Sequence, residues 1–387
     1  MKTLLFVLDK TFPYGDAFSC RARNFTKLFS NCGYHVEIVA KSSQETICSE
    51  LDGINYHCNY ITASQNLFTL SGFGTAKPFI EAIEKVFLTT EVDAIFSASL
   101  PFVTPQISKI ARKKRIPYYV EHCEWYDPSI FKGNKYNPYY IEHVKLLNHK
   151  MKNVDGIIAI SRYLEKHFLD MGMNVTRIPT ILDLKFIEPR IDTVLNNSVV
   201  NITFAGSLGK GKENLRPMLE AIAKVNENVE KIHLHVFGAN EDQVKENIGN
   251  DITLLEIVKK FSTFHGRIPQ AEVEGKIREA DFSFIIRPKR QSSDAGFPTK
   301  LAESMAVGTP VIANDTGDIG MIINNGENGF LVHDGAELVQ VLNSIVNMDI
   351  AKRTEMRKKA RIKAERVFDY RVYKGQLLDF LKETTKE

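Results

Sequence analysis

The chain has almost no excess of charge of one sign: 50 Lys and Arg stand against 47 Asp and Glu, leaving +3 over 387 residues. So small a balance excludes wholesale attraction to nucleic acid and makes any basic patch local. Long apolar runs are also missing. No stretch approaches the ~18 uninterrupted apolar residues of a membrane span, so any membrane association is expected to be peripheral. The opening run Leu4 to Leu8 is broken by Asp9 and Lys10 before any small-residue cleavage site, and it reads as a first β-strand rather than a leader. The five cysteines (Cys20, Cys32, Cys48, Cys58, Cys123) are odd in number and scattered. Without C-x-x-C spacing they exclude a zinc ribbon or a dithiol pair, fit a reducing cytosol, and leave Cys123 beside His122 as a passive thiol. Short repeats and low-complexity segments are absent, which excludes solenoids and disordered tails.

What is present is an ordinary globular composition, with 43% hydrophobic and 25% charged residues. At ~150 residues per domain the length suggests two domains. Short β-branched runs alternate with amphipathic stretches: Thr3 to Leu8, Val36 to Ala40, Ala94 to Ser97, Pro117 to Glu121, Gly156 to Ile160 and Val175 to Ile178. That rhythm means βαβ units and a parallel sheet. It is interrupted from Asp183 to Ser198 and resumes at Asn201 to Ala205, Ile232 to Phe237, Phe261 to His265, Phe282 to Ile286, Pro310 to Ala313 and Phe330 to Val332. Leu338 to Met348, Ala351 to Phe368 and Tyr370 to Leu381 read as closing helices. The expected division is 1–190 and 191–369, with the helix in 370–387 packing back on the first domain. Two doubly wound sheets of this kind bind ligands at the carboxyl ends of their strands, so the chemistry is sought in strand-to-helix loops lining a central cleft.

In the second half, strand NITFA runs into GSLGKGKENL, which places Gly206, Gly209 and Gly211 where backbone N–H groups and a helix start can face an anion, with Lys212 as a point charge. The spacing approaches a P-loop, but Glu213 stands where the magnesium-binding Ser or Thr belongs. A glycine-rich turn with solvated lysines is the alternative. The richest segment is FIIRPKRQSSDAGFPTKLAESMAVGTPVIANDTGDIG, Phe282 to Gly320. Its strand delivers Arg287, a polar loop runs through Asp294, Ala295, Gly296, Phe297 and Pro298, and a helix starts near Thr299. Lys300 and Glu303, three apart in that helix, occupy one face.

This segment resembles glycosyltransferase family 4, the retaining nucleotide-sugar transferases of the GT-B fold, and the resemblance extends along essentially the whole chain. Its most specific part is GFPTKLAESMAVGTPVIA. The resemblance implies an α/β architecture of two Rossmann-like domains, a nucleotide-diphosphate sugar as co-substrate, and no cofactor or metal. No two aspartates lie two apart, so the D-x-D metal site of the other large transferase fold is absent. Glu303 matches the family glutamate that holds the ribose hydroxyls, with Leu301 beside it; the family's first glutamate position is Ala295, next to Asp294. Where the family carries Arg after the glycine of its diphosphate loop, this chain has Ser207, while Lys212 is in place. Arg287 is expected to supply the second cation. Lys212, Arg287 and Glu303 are therefore the expected catalytic set. Gly15, Gly206, Ser207, Gly266, Arg267 and Ile268 complete the expected nucleotide and diphosphate contacts. His122, Asp294 to Thr299 and Lys300 are expected at the donor sugar, and Asp16, Glu124 and Trp125 at the acceptor. The loop YYVEHCEWYDPSIF is expected to expose Glu121, His122, Glu124, Trp125 and Asp127 to the cleft.

The expected activity is transfer of a sugar to a glycan or lipid-linked acceptor in bacterial surface polysaccharide synthesis. The alternatives are a nucleotide-sugar epimerase, which cleaves the same bond without an acceptor, and an inactive nucleotide-sugar-binding subunit. Eight basic residues from Lys352 to Arg366, and Lys109 with Arg112 to Arg115, read either as solvated faces or as contacts with an anionic membrane surface. A cytoplasmic location with peripheral membrane contact follows from that reading.

Overall fold

The structure is a computed structural model and describes residues 1–13, 15, 17–41, 48–51, 54–61, 76–191, 199–208 and 213–383. The chain divides into two units, Met1–Leu182 with Tyr370–Glu387, and Asp183–Asp369.

The first unit is built on a sheet whose strands are β1 (Lys2–Thr11), β2 (Tyr34–Lys41), β3 (Cys48–Leu51), β4 (Ile54–Ile61), β5 (Ala94–Ala98), β6 (Tyr118–His122), β7 (Gly156–Ala159) and β8 (Val175–Arg177). Their order is β3-β4-β2-β1-β5-β6-β7-β8. All neighbouring pairs are parallel except β3 with β4. The central strands are buried on both faces, which is why Leu4 to Leu8 is an unbroken apolar run with every residue at 0% exposure. The β3–β4 pair was not among the expected strands. It is antiparallel, at the sheet edge, and INYHCNYI mixes polar and apolar residues, so the buried-run signal is missing.

The C-terminal segment belongs to this first core. Tyr370, Leu377, Phe380 and Leu381 pack with Phe6, Phe25 and Tyr119. Phe380 lies against β7 so closely that a Cβ at Gly156 would stand 2.5 Å from its ring and 3.2 Å from Tyr119. Gly156→Ala is therefore expected to cost about 1–3 kcal/mol through overpacking, read as a lower urea midpoint. An unchanged midpoint would show that the ring moves aside freely.

The second unit holds β9 (Val200–Ala205), β10 (Ile232–Phe237), β11 (Ser262–Gly266), β12 (Phe282–Ile285), β13 (Val311–Asn314) and β14 (Gly329–Val332). They form an all-parallel sheet in the order β11-β10-β9-β12-β13-β14. The order reverses at β9 and β12, so the loops that follow these two strands leave the sheet at its switch point. The long helix Ile350–Val367 closes this unit through two buried arginines. Arg357 donates to the carbonyls of Arg190, Ala280 and Arg278, and Arg361 to those of Ile187, Ala306 and Leu184. Part of the basic run in this helix is thus an internal hydrogen-bonding device. Lys352, Lys358, Lys359 and Arg366 remain exposed.

Candidate functional site

In the second unit the strand ends bring together residues far apart in the chain. Gly206 ends β9 at φ +153°, and its Cα faces the side chain of Lys300: a Cβ there would stand 2.1 Å from Lys300 Cε and 2.6 Å from Nζ. A side chain there would displace the lysine's end and would be strained by the positive φ. Gly238 and Gly266 tie the neighbouring strand ends together, the Gly238 N–H donating to Gly266 O at 2.7 Å and the Gly266 N–H to Ala239 O at 3.1 Å. Gly266 adopts φ +67°, a left-handed conformation suited to glycine. Arg267 beyond it is exposed and Ile268 half-buried.

Arg287 follows β12 and is held on both sides of its backbone by Asn314. Its N–H donates to Asn314 Oδ1 at 2.9 Å, and its carbonyl accepts from Asn314 Nδ2 at 2.8 Å. The guanidinium is buried and donates to Ser293 O at 2.9 Å. Asp294 is also engaged, accepting the Gly317 N–H at 3.0 Å. The stretch expected to be a polar loop contains a short helix, Gln291–Ala295.

The helix Thr299–Ala306 starts after Pro298. Lys300, in its first turn, reaches Glu213 Oε1 at 2.8 Å and places its ammonium 4.4 Å from the Phe204 ring centroid. Glu303 follows one turn on. Burial pushes its carboxyl above the usual range, and the Lys300 charge pulls it partly back. Leu301, between them, is fully buried, as are Ala295 and, nearly, Phe297, which sits edge-on to Phe368. These three side chains face the unit's interior, so contacts to a ligand from this stretch are left to backbone groups and to Thr299, Lys300 and Glu303. Lys212, with Gly209 and Gly211, lies outside the described residues, as does Asp16. Ser207 is exposed.

In the first unit, Gly15 lies where a Cβ would meet Thr11 Oγ1 at 2.3 Å and Ser19 Oγ at 2.5 Å. The segment expected as a loop departs from expectation at its first two residues, which close β6. Glu121 and His122 are 1% and 2% exposed rather than open to solvent. Glu121 accepts from Arg21 Nε and from the Cys123 thiol, so it serves a buried ion pair. His122 stacks with His143 at 5.9 Å and meets Phe168 edge-on. Burial, with His143 next in weight, lowers its pKa well below the usual histidine range and keeps the ring neutral. Glu124, Trp125 and Asp127 are half-buried, Trp125 lying edge-on to His167 and Tyr163.

Of the expected donor residues, Gly206 and Lys300 lie against each other, Glu303 feels the Lys300 charge, and Arg287 follows β12, the strand beside β9. Glu213 and Asn314, which position two of these cations, were not singled out as site residues. Asn314 carried a signal, since it closes a buried strand in VIANDTG. Among the described residues, no group of three or more His, Cys, Asp or Glu is arranged to hold a metal ion, and no helix is long and apolar enough to cross a membrane.

Comparison with known proteins agrees with this architecture. Residues 21–186 match the model described as Glycosyltransferase Family 4, and residues 200–348 the model described as Glycosyl transferases group 1. A phosphatidyl-myo-inositol mannosyltransferase of Mycobacterium leprae is 27% identical over 180 residues, 46% of this chain and 45% of that one. An uncharacterized 41.2 kDa protein in the cps region of Klebsiella pneumoniae is 25% identical over 77% of this chain and 81% of its own. The amylovoran biosynthesis glycosyltransferase AmsK of Erwinia amylovora is 27% identical over 58% of this chain and 55% of its own. The chain thus spans about half the length of two of these three relatives. The crystallised sucrose-phosphate synthase of Thermosynechococcus elongatus, at 15% identity, superposes with a TM-score of 0.73 over 100% of this chain and 99% of that one. Two family models that together span most of the chain, over two sheets that are parallel but for the β3–β4 edge pair, place it in glycosyltransferase family 4, with the GT-B fold.

Proposed function

We propose that this chain is a retaining, metal-independent glycosyltransferase that moves a sugar from a nucleoside-diphosphate sugar to a glycan or lipid-linked acceptor in bacterial surface polysaccharide synthesis. The observation that carries the reading is the meeting of Lys300 with the Gly206 backbone at the end of β9, with Glu303 one helical turn on, while Arg287 leaves the neighbouring strand β12. Cleaving a sugar–phosphate bond builds negative charge on the departing diphosphate, and fixed cations beside a side-chain-free backbone are what stabilise it. Arg287 and Lys300, with Lys212 from the glycine-rich loop, take that role, so the reaction needs no metal. Glu303 takes the ribose hydroxyls, Gly266 to Ile268 frame the base, and the backbone of Gly296 to Thr299 faces the sugar. In a retaining transfer the departing phosphate oxygen accepts the acceptor's proton on the same face, which leaves no separate base to be found. In the first domain, Gly15 is assigned to the donor and Asp16, Glu124 and Trp125 to the acceptor, while the buried His122 acts only by supporting the segment that carries Glu124 and Trp125. The relatives from the Klebsiella cps region and from amylovoran biosynthesis support the polysaccharide setting.

The test is a calorimetric titration, without added metal, with uridine, guanosine and adenosine diphosphates and their sugar conjugates. Binding of one series is expected, and the anomeric configuration of the product is then read by NMR. Hydrolysis or rearrangement of the donor without a glycoside product would favour an epimerase; no binding across the panel would overturn the reading. Glu303→Ala is expected to weaken nucleotide binding by about 1–3 kcal/mol. Because burial raises the Glu303 carboxyl, the ionised form that accepts hydroxyls is lost as pH falls through a value above the ordinary carboxylate range. Affinity should drop on that acid limb, and Glu303→Gln should flatten it. The same shift means that Glu303's contribution to stability in the ligand-free protein is present at low pH and lost as pH rises.

A further inference from the structure

Lys300 already has a partner. Its ammonium meets Glu213 Oε1 at 2.8 Å, with the two side chains 18% and 8% exposed, and its second neighbour is the Phe204 ring. Glu213 is held from behind: its carbonyl accepts from Asn247 Nδ2 at 3.1 Å, and the next N–H, of Asn214, donates to Ile286 O at 3.2 Å. Its other carboxylate oxygen, Oε2, is buried and has no hydrogen-bond partner among the described residues. A nearly enclosed carboxylate with a spare oxygen, fixed at the foot of the loop that begins at Gly206, is costly to maintain unless its charge is used.

We propose that Glu213 is a built-in counter-ion that weakens the hold of Lys300 on a diphosphate, and so sets how readily the nucleoside diphosphate is released after transfer. The inference rests on the proposed function. An ammonium has three N–H donors, and Glu213 takes one while cancelling much of the positive potential that a diphosphate would meet. The Lys300 side chain lies across the Gly206 backbone, in the space a Cβ would take, with Glu213 as its ion-pair partner. A diphosphate therefore shares Lys300 with the carboxylate, and a tightly bound product is avoided.

The test compares Glu213→Gln with the wild-type chain by titration with uridine and guanosine diphosphates, alongside steady-state turnover and product inhibition. Gln keeps the shape and an acceptor for Lys300 but removes the charge. The dissociation constant and the product-inhibition constant are expected to fall at least five-fold, with KM falling and kcat falling as release becomes slower. In a Lys300→Met background the same substitution should give no gain. A purely structural glutamate would instead weaken binding and lower the melting temperature together. Equal or weaker diphosphate binding in Glu213→Gln, or a gain that survives without Lys300, overturns the proposal. If the Gln variant fails to fold, Glu213→Ser carries the same expected direction. Absence of diphosphate binding in every variant, wild type included, overturns the functional reading and this inference with it; binding by the wild type without a gain overturns the inference alone.

Discussion

Arg21→Met should destabilise the first unit by about 3–5 kcal/mol, the cost of stranding a buried charge. The guanidinium is 5% exposed and is spent entirely on the interior. Nε donates to Glu121 Oε1, Nη1 to Pro179 O, and Nη2 to Ile178 O at 2.8 Å. Burial pulls its pKa down, but the Glu121 carboxylate and Cys123 raise it further, so the net shift is upward and the charge is retained. Removing Arg21 leaves Glu121, 1% exposed and with Oε2 already unpartnered, as a buried charge with only the Cys123 thiol donating to it, beside two carbonyls that lose their guanidinium donor. Glu121 immediately precedes His122, and Glu124 and Trp125 follow, so the loop assigned to the acceptor should loosen along with the unit. Chemical denaturation of Arg21→Met, Glu121→Gln and the double variant tests this. The double variant should recover part of the loss, because the stranded charge is gone. A loss below ~1 kcal/mol in Arg21→Met would mean that water or another cation reaches Glu121.

That ion pair also marks where the sequence stops being legible. Strands buried on both faces announce themselves as unbroken apolar runs, and β1, β2, β5 to β14 were each expected within a few residues of where they lie. The β3–β4 pair was missed because an antiparallel edge lacks that run, although Asp52-Gly53 between the two segments is a hairpin signal in its own right. At the site, Lys300 and Glu303 were readable because a helix fixes their spacing locally. Their partners were not. Lys300 meets Glu213 across 87 residues, Arg287 meets Asn314 across 27, and Arg21 meets Glu121 across 100. Such pairs are set by which strands neighbour one another in a parallel sheet, and no local pattern encodes that order. The same gap explains His122 and Glu121: a strand end reads as an exposed loop until the helices that cover it are known.

Arg287→Ala is expected to lower kcat/KM by about 10²–10³, the usual cost of removing a fixed donor from a developing oxyanion. Two effects contribute, and they are separable. The guanidinium donates to Ser293 O at 2.9 Å, so its loss leaves a buried carbonyl unpaired and weakens the short helix Gln291–Ala295 that leads to Thr299. That part costs about 1–3 kcal/mol of stability and should appear as a lower denaturation midpoint. The other part is the charge itself, which matters only when diphosphate is present. Ser207 occupies the place where the family has its usual arginine, so Arg287 has no cationic substitute on the adjoining β9 loop within the described residues. Arg287→Lys separates the two: it keeps the charge but loses the planar fork, and should restore turnover only in part. If Arg287→Ala and Arg287→Lys lose stability equally while only the lysine variant recovers turnover, the charge carries the catalysis. If activity tracks stability in both, Arg287 acts by shaping the loop, and the cations on the diphosphate reduce to Lys300 and Lys212.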